Sequence, residues 1–259
     1  MQSFFKKLPR YSLRLLLAYL AYIFAGGVLA YLLPRQARNL PQTDSFYGIG
    51  RGPDRAVLVE EPQDAFARRV EVIRTAQSTL DVCYHCVKSG ETTECFFAEL
   101  LRAADRGVRV RVLLDGTVGG LSGARSNIAL ALRAHPNIEY RIYNPVDLLR
   151  PWEWNALLHD KFILADDWML LLGGRNIGDE YFAPPGYEGA VTYDRDVLVL
   201  NDLAGTPDSS ESVTAQAKIY MDTLWDAPET DKFGTLSPSR RADGLAAQEY
   251  LKETAARWE

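Results

Sequence analysis

His159 and Lys161 are separated by one residue, and their types and spacing suit chemistry on a phosphate group. In an extended strand, side chains two residues apart project from the same face, so both would point at one ligand. A neutral imidazole can act as a nucleophile or carry a proton near pH 7. A lysine beside it can stabilise charge on a phosphoryl oxygen. The pair therefore indicates a site for a phosphodiester.

The segment around this pair, LLHDKFILADDWMLLLGGRN at 157–176, has the pattern of a β-hairpin with an acidic turn. Its second strand ends at a glycine pair, which lets the backbone approach whatever the histidine and the lysine face. An asparagine shortly after it adds an amide donor. A lone histidine beside a lysine is usually a solvated strand end, but several constraints at fixed spacing favour a site. The further candidate residues are Asp166, Gly173, Gly174, Arg175 and Asn176.

Strands and helices alternate over residues 55–227, and these elements must position the hairpin. Helices of ten or more residues separate most of the strands, which predicts an α/β fold with a mainly parallel mixed sheet sandwiched by helices. Ligands in such sheets bind at the C-terminal ends of strands. The segment 228–259 is polar and contains proline, and we expect a C-terminal tail without a further strand.

The first 35 residues predict a membrane anchor. The stretch Leu15–Leu33 contains neither charge nor proline and is long enough to span a bilayer. Basic residues are concentrated before it, so the N-terminus is expected in the cytoplasm and the domain on the outer side. A signal peptide cleaved after Ala30 is the alternative. A polar linker over 36–54 would join this transmembrane helix to the domain at 55–227.

Composition narrows the function classes. A net charge of −5 and a pI near 5.4 argue against a nucleic-acid binder that relies on a basic surface. Cys83 and Cys86 would point to opposite faces of one strand, so four convergent metal ligands are hard to build there. We expect these two and Cys95 to be small core residues. A Cys86–Cys95 disulfide is the alternative in an oxidising compartment.

The hairpin resembles the phospholipase D superfamily, whose signature reads H-x-K-x4-D-x6-G-[SG]-x-N and is called the HKD motif. The continuation GGRNIGDEYF at 173–182 resembles the N-terminal half of bacterial cardiolipin synthases, as do IYNPV before the motif and DRDVLVLN after it. The resemblance covers about 56–225 and implies one half of a phospholipase D-like fold, without metal or cofactor. Gly174 stands where many members have serine. The matching residues are His159, Lys161, Asp166, Gly173 and Asn176.

The resemblance also implies roles for the motif residues. In the family, one motif histidine attacks phosphorus and forms a phosphohistidine, and the histidine of a second motif protonates the leaving alcohol. Carried over, His159 is the nucleophile or the acid. Lys161 and Asn176 would bind phosphate oxygens, with the glycine pair against the substrate. Asp166 would shape the hairpin.

Two further residues receive roles, Asp194 from the same resemblance and Arg175 from its place between Gly174 and Asn176. An acidic residue before the next strand usually orients the histidine ring, and Asp194 stands at that place, with Asp196 and Glu180 as alternatives. Arg175 would bind a second phosphate. A salt bridge from Arg175 to Asp179 or Glu180 is the alternative.

The chain departs from the family pattern because it carries one motif where cardiolipin synthases carry two. Neither His85 nor His135 is followed by a lysine two residues later. We therefore expect the second motif to come from a partner, either a second copy or another HKD-containing chain.

These features predict a membrane-anchored phosphatidyltransferase or phospholipase D-type enzyme of the bacterial inner membrane. Its substrate would be phosphatidylglycerol or a similar phospholipid. The alternatives are a homodimeric single-motif phosphodiesterase or nuclease, and an inactive N-terminal fragment of a two-motif synthase.

Overall fold

The computed structural model describes residues 10–32 and 52–256, which belong to two compact units. The smaller unit contains helix α1 (Arg10–Leu32) and the segment Val146–Ala156. The larger unit contains the other described residues. The predicted linker lies outside the described residues except at its last three positions.

Within the described ranges, α1 is the one helix that is long and apolar enough to cross a membrane. Its Ser12–Leu29 window has a mean hydropathy of 1.7. Inside the smaller unit, the Tyr19 hydroxyl donates to the Leu148 carbonyl at 2.8 Å, and the ring of Tyr22 meets Trp152 edge-on. Of the basic residues that flank the span, Arg10 and Arg14 lie in α1, and Lys6, Lys7, Arg35 and Arg38 lie outside the described ranges.

The larger unit is built on one eight-stranded sheet with the order β1-β7-β6-β5-β2-β3-β4-β8. Helices cover both of its faces. The strands are β1 (Asp54–Val59), β2 (Thr79–Tyr84), β3 (Arg109–Asp115), β4 (Ile138–Tyr143), β5 (Lys161–Ala165), β6 (Met169–Gly173), β7 (Asp196–Asn201) and β8 (Thr230–Lys232). The helices are α2 (Pro62–Thr75), α3 (Glu91–Asp105), α4 (Ser126–Ala134), α5 (Asp179–Phe182), α6 (Val213–Trp225) and α7 (Pro238–Ala255).

The mixed α/β sheet with flanking helices is confirmed, but the predicted mainly parallel strand direction is wrong. Among the described strands, only β2–β3 and β3–β4 pair in parallel, and the other neighbours are antiparallel. A parallel pair needs a long crossover, whereas β5 and β6 are joined by a short turn. This hairpin lies inside the sheet between β2 and β7, and it therefore reverses the strand direction there.

The alternation of side chains along the strands divides the core between the two faces of the sheet. On one face, Val82 and Tyr84 of β2 pack under Phe96 of α3, with α2, α4 and α7 beside it. On the other face, Cys83 packs in the cluster that contains Met221 of α6. All three cysteines are thiols, so the alternative disulfide is wrong. Cys83 and Cys95 are buried as expected, and Cys86 is half-buried.

The segment expected to be a polar tail is instead part of the domain. Strand β8 pairs with β4 at the edge of the sheet, and α7 packs on α4. A Cβ on Gly244 would lie 2.5 Å from the Leu130 carbonyl oxygen, so the two helices approach closely only because this residue is glycine. The buried residues of α7 follow helical spacing but include glycine, glutamine and alanine, which hides the pattern. They are Gly244, Gln248, Leu251 and Ala255.

Candidate active site

The predicted histidine–lysine pair lies at the edge of the sheet where β2 and β3 end and β5 begins. Because β5 runs antiparallel to β2, its first residue, Lys161, pairs with Tyr84, the last residue of β2. His159 precedes β5 and therefore lies just outside the strand rather than on it. The C-terminal ends of two parallel strands thus face the residues that the sequence singled out, as expected for a ligand site in an α/β sheet.

His159 and Lys161 form a close pair. The Lys161 ammonium donates to the His159 carbonyl oxygen at 2.6 Å and lies 3.5 Å from His159 Nδ1. The imidazole is exposed, while Lys161 is only 7% exposed. The nearby ammonium, helped by partial desolvation, holds the pKa of His159 below its ordinary value. The site thus presents an accessible neutral imidazole beside a fixed positive charge, which suits attack on a phosphate ester.

The residue before His159 is held from both sides by the ends of the two parallel strands. The Leu158 amide donates to Oδ2 of the buried Asp115, at the end of β3, at 2.8 Å. The Leu158 carbonyl oxygen lies 2.9 Å from Nδ1 of His85, just after β2. The His85 ring is also 4.5 Å from the His159 ring between centroids.

The HKD spacing does not identify His85 as a site residue, because no lysine follows it two residues later. A different signal in the sequence could have identified it. His85 comes directly after a predicted strand, at the sheet edge where a ligand was expected.

Asn176 is attached to the segment that follows β2. Its Oδ1 accepts from the Cys86 amide at 3.0 Å, and its Nδ2 donates to the Tyr181 hydroxyl at 3.1 Å. A bridge between Val87 and Ile177 continues this connection. The loop after β6 is therefore joined to the loop after β2, and Asn176 lies beside the residue that follows His85.

The glycine pair allows a close approach of the chain to β7 and the residues before it. A Cβ on Gly173 would lie 2.5 Å from the Arg195 carbonyl oxygen, and one on Gly174 would lie 2.1 Å from Asp194 Oδ1. The Asp194 carboxylate therefore occupies the space that the usual serine side chain would need. Its negative charge opposes the lowering of the Lys161 pKa that burial causes.

Asp194 therefore lies against Gly174. No hydrogen bond joins it to His159 among the described contacts, and its role in orienting the ring stays a prediction. Both alternatives are engaged elsewhere: Asp196 is fully buried, and Glu180 pairs with Lys88.

Arg175 is not a substrate contact, which corrects the prediction. Its side chain is fully buried, and NH1 lies 2.9 Å from Asp196 Oδ2, which Arg69 also contacts at 3.0 Å. The guanidinium also donates to the carbonyls of Val59 and Glu60. Adjacent residues in extended chain point in opposite directions. Asn176 is directed to the loop after β2, so Arg175 enters the core. Arg175 pairs there with Asp196, and not with Asp179 or Glu180 as the alternative prediction had it.

The motif makes Asp166 both a candidate catalytic residue and a residue that shapes the hairpin, and its position supports the second role alone. Its carboxylate accepts from the amides of Gln77, Ser78 and Thr79 at 2.7 to 2.9 Å, which anchors the hairpin turn to the start of β2. Asp166 is five residues beyond Lys161, about 16 Å along an extended strand. Asp166 therefore stabilises the fold and does not contact the reacting groups.

Residues 70–199 match the family described as cardiolipin synthase, PLD-like domain. Cardiolipin synthase C of Escherichia coli (strain K12) is 39% identical over 152 residues, which are 55% of this chain and 31% of that protein. The chain spans less than a third of the length of the first curated relatives that it matches.

Two solved structures share the fold. NucT from Helicobacter pylori aligns with a TM-score of 0.53 at 15% identity, over 70% of this chain and 99% of that one. The phosphatidylserine synthase of Haemophilus influenzae Rd KW20 aligns with a TM-score of 0.51 at 16% identity, over 78% of this chain and 44% of that one.

Proposed function

Because this chain belongs to the phospholipase D superfamily, through the cardiolipin synthase domain that it matches over half its length, we propose that it transfers phosphatidyl groups. It would act on phospholipid phosphodiesters through a phosphohistidine on His159. The observation that carries this proposal is the exposed His159 beside the buried Lys161, at the sheet edge where β2 and β3 end. The proposed substrate class, phospholipids, comes from the relatives. The proposed chemistry rests on the His159–Lys161 pair.

The proposed reaction has two displacements. A ring nitrogen of His159 attacks phosphorus, a nitrogen–phosphorus bond forms, and the bond to the leaving alcohol oxygen breaks. An acid on the far side of phosphorus protonates that oxygen. An acceptor alcohol or water then attacks the phosphorus and loses its proton to the same group, and His159 leaves. Lys161 and Asn176 would stabilise the negative charge on the phosphoryl oxygens in both steps.

The far-side acid is assigned to the histidine of a second HKD motif on a partner, either a second copy or another HKD-containing chain. Support for a partner comes from the single motif in this sequence. A twofold axis beside the site would bring two copies of His159 to one phosphate.

The proposed location is the bacterial inner membrane, with α1 as a single span, the N-terminus in the cytoplasm and the domain outside. The apolar helix supports the span, and the basic residues before it support the orientation. Phosphatidylglycerol, or a similar phospholipid of that membrane, is then the proposed substrate.

The test uses the full chain in phosphatidylglycerol vesicles, with released glycerol, cardiolipin and phosphatidic acid measured separately. We expect glycerol release, with the second product identifying the acceptor as lipid or water. His159→Asn should lower turnover at least about 1000-fold, because the nucleophile is lost. The matched control is His135→Asn, which removes an imidazole bound to Asp105 rather than to the site, and it should retain activity. A chain that releases neither glycerol nor phosphatidic acid would refute the lipid proposal.

Pairing between copies is tested by co-expressing the wild type with His159→Asn in equal amounts. If each site needs a histidine from two copies, activity falls to about a quarter of that of the wild type. If each chain works alone, it falls to about a half.

A homodimeric single-motif phosphodiesterase that acts on nucleic acid is the second candidate. The observation that favours it is the 99% coverage of NucT, since in that structure a domain of this fold makes up nearly the whole chain. The net charge of −5 weighs against it. Cleavage of DNA, with phosphatidylglycerol left intact, would decide for this candidate.

A further inference from the structure

His85 lies against the candidate nucleophile although it belongs to no HKD motif. Its ring centroid is 4.5 Å from that of His159, with the planes tilted by 54°. Its Nδ1 is 2.9 Å from the Leu158 carbonyl oxygen, and a carbonyl only accepts hydrogen bonds. The proton must therefore be on Nδ1 of His85 for this bond to form. The neutral ring is thereby fixed in one tautomer.

This bond is one of two hydrogen bonds that hold the backbone just before His159. The Leu158 amide is bound by the buried Asp115, and the Leu158 carbonyl by His85. Asp115 itself is fixed, because its Oδ1 accepts from the amides of Thr117 and Val118 at 2.9 Å. The ends of two neighbouring strands thus determine where the chain enters β5, and with it the position of the His159 ring.

The position of His85 excludes it as the acid for the leaving group. In an in-line displacement, the attacking and leaving atoms are on opposite sides of phosphorus. Before reaction the attacking nitrogen is about 3 Å from phosphorus, and the leaving oxygen is bonded to phosphorus on the far side. An acid within hydrogen-bond reach of that oxygen is therefore more than about 6 Å from the attacking nitrogen. A ring in contact with His159 is on the near side, so the second motif remains necessary.

The contact between the rings of His85 and His159 also affects their charge. Two imidazolium rings at this distance repel each other, so protonation of one ring opposes protonation of the other. The carboxylates beside the site act in the opposite sense. The titratable groups that face His159 are Lys161 and Asp160 from its own segment, His85 from the end of β2 and Asp115 from the end of β3.

We propose that His85 is a positioning residue for the nucleophile. It holds the Leu158 carbonyl, supports the ring of His159 and disfavours a positive charge on that ring. The structural part of this inference is independent of the reaction, and its catalytic meaning rests on the proposed function above.

Histidine NMR tests the structural part without any need for turnover. The chain has three histidines, so the full protein with 15N-labelled histidine in detergent micelles gives three resolvable rings, with His135 as internal reference. We expect neutral His85 to carry its proton on Nδ1. In His85→Phe, His159 should titrate at higher pH than in the wild type, because the charge of the neighbouring ring is lost. The proton of His85 on Nε2, or an unchanged titration of His159, would overturn the proposal even if the chain proves inactive.

Kinetics test the catalytic part. His85→Phe keeps a ring but has no donor for the Leu158 carbonyl, and we expect kcat to fall about 10- to 100-fold with KM little changed. His85→Asn places an amide near the position of Nδ1, so it should recover most of that loss. Both variants should move the acid limb of the pH profile upward. Equal kcat in wild type and His85→Phe would refute the positioning role, whereas loss of activity in the wild type itself would refute the proposed function instead.

Discussion

Replacing Asp196 with asparagine should sharply destabilise the domain. Its carboxylate is fully buried and lies 2.9 Å from Arg175 and 3.0 Å from Arg69, both of which are also buried. The substitution removes the negative charge and leaves two guanidinium groups without a neutralising partner. Breaking a buried pair in this way typically costs about 3–5 kcal/mol. We expect about 3 kcal/mol, the low end of that range, since both arginines donate to Oδ2 and an asparagine carbonyl in its place can still accept from them.

The assay is urea unfolding of the full chain in detergent micelles, followed by tryptophan fluorescence. Asp202→Asn is the matched control, because Asp202 pairs with Arg55 where both side chains are about half exposed. Such surface pairs contribute about 0–1 kcal/mol. A loss below about 1 kcal/mol for Asp196→Asn would refute the structural role of this cluster. Arg175→Met should likewise reduce stability, whereas a raised KM with unchanged stability would restore Arg175 as a substrate contact.

Four further substitutions test the site and the residues that support it. Lys161→Met should lower kcat/KM about 100- to 1000-fold. It should also shift the acid limb of the pH profile to higher pH, because the ammonium no longer lowers the pKa of His159. An unmoved acid limb would contradict this. Gly173→Ala should lower the free energy of unfolding in urea by about 2 kcal/mol or more, because the new Cβ meets backbone atoms. Gly174→Ala should lower it by less than about 1 kcal/mol, because the new Cβ meets a carboxylate that can move. Equal losses would contradict that difference. Asp166→Ala should cost about 2 kcal/mol by removing an ionised acceptor of three amides, without changing kcat per folded molecule; a lower kcat would return Asp166 to the active site.

The hairpin was predictable because its signals are local. The spacing of His159 and Lys161 marked the start of the hairpin, although His159 lies just before β5. Acidic residues marked the turn, and the glycine pair marked the end of the second strand. Helices α2 and α3 were predictable for the same reason, since each buries a regular stripe along one face. The location of the pair at a sheet edge then followed from the alternation of strands and helices.

Features that depend on tertiary contacts could not be predicted in this way. The buried face of α7 is built from Gly244, Gln248, Leu251 and Ala255, which is not a hydrophobic pattern. Strand direction depends on where the hairpin inserts into the sheet, which no local signal specifies.

Contacts around the site were missed for the same reason. The burial of Arg175 follows from its distant partner Asp196, which the motif alone does not identify. The contact between His85 and His159 joins residues 74 positions apart in the sequence (159 − 85). A motif search compares spacing along the chain, and it therefore overlooks such a neighbour.

The most direct test of the account is to locate the covalent intermediate. The full chain is incubated with vesicles of phosphatidylglycerol labelled at phosphorus and quenched at alkaline pH, and the modified residue is identified by mass spectrometry. We predict a labelled phosphatidyl group on His159, its removal when excess glycerol is added, and no label in His159→Asn. A label on another residue, or wild-type turnover in His159→Asn, would contradict the account.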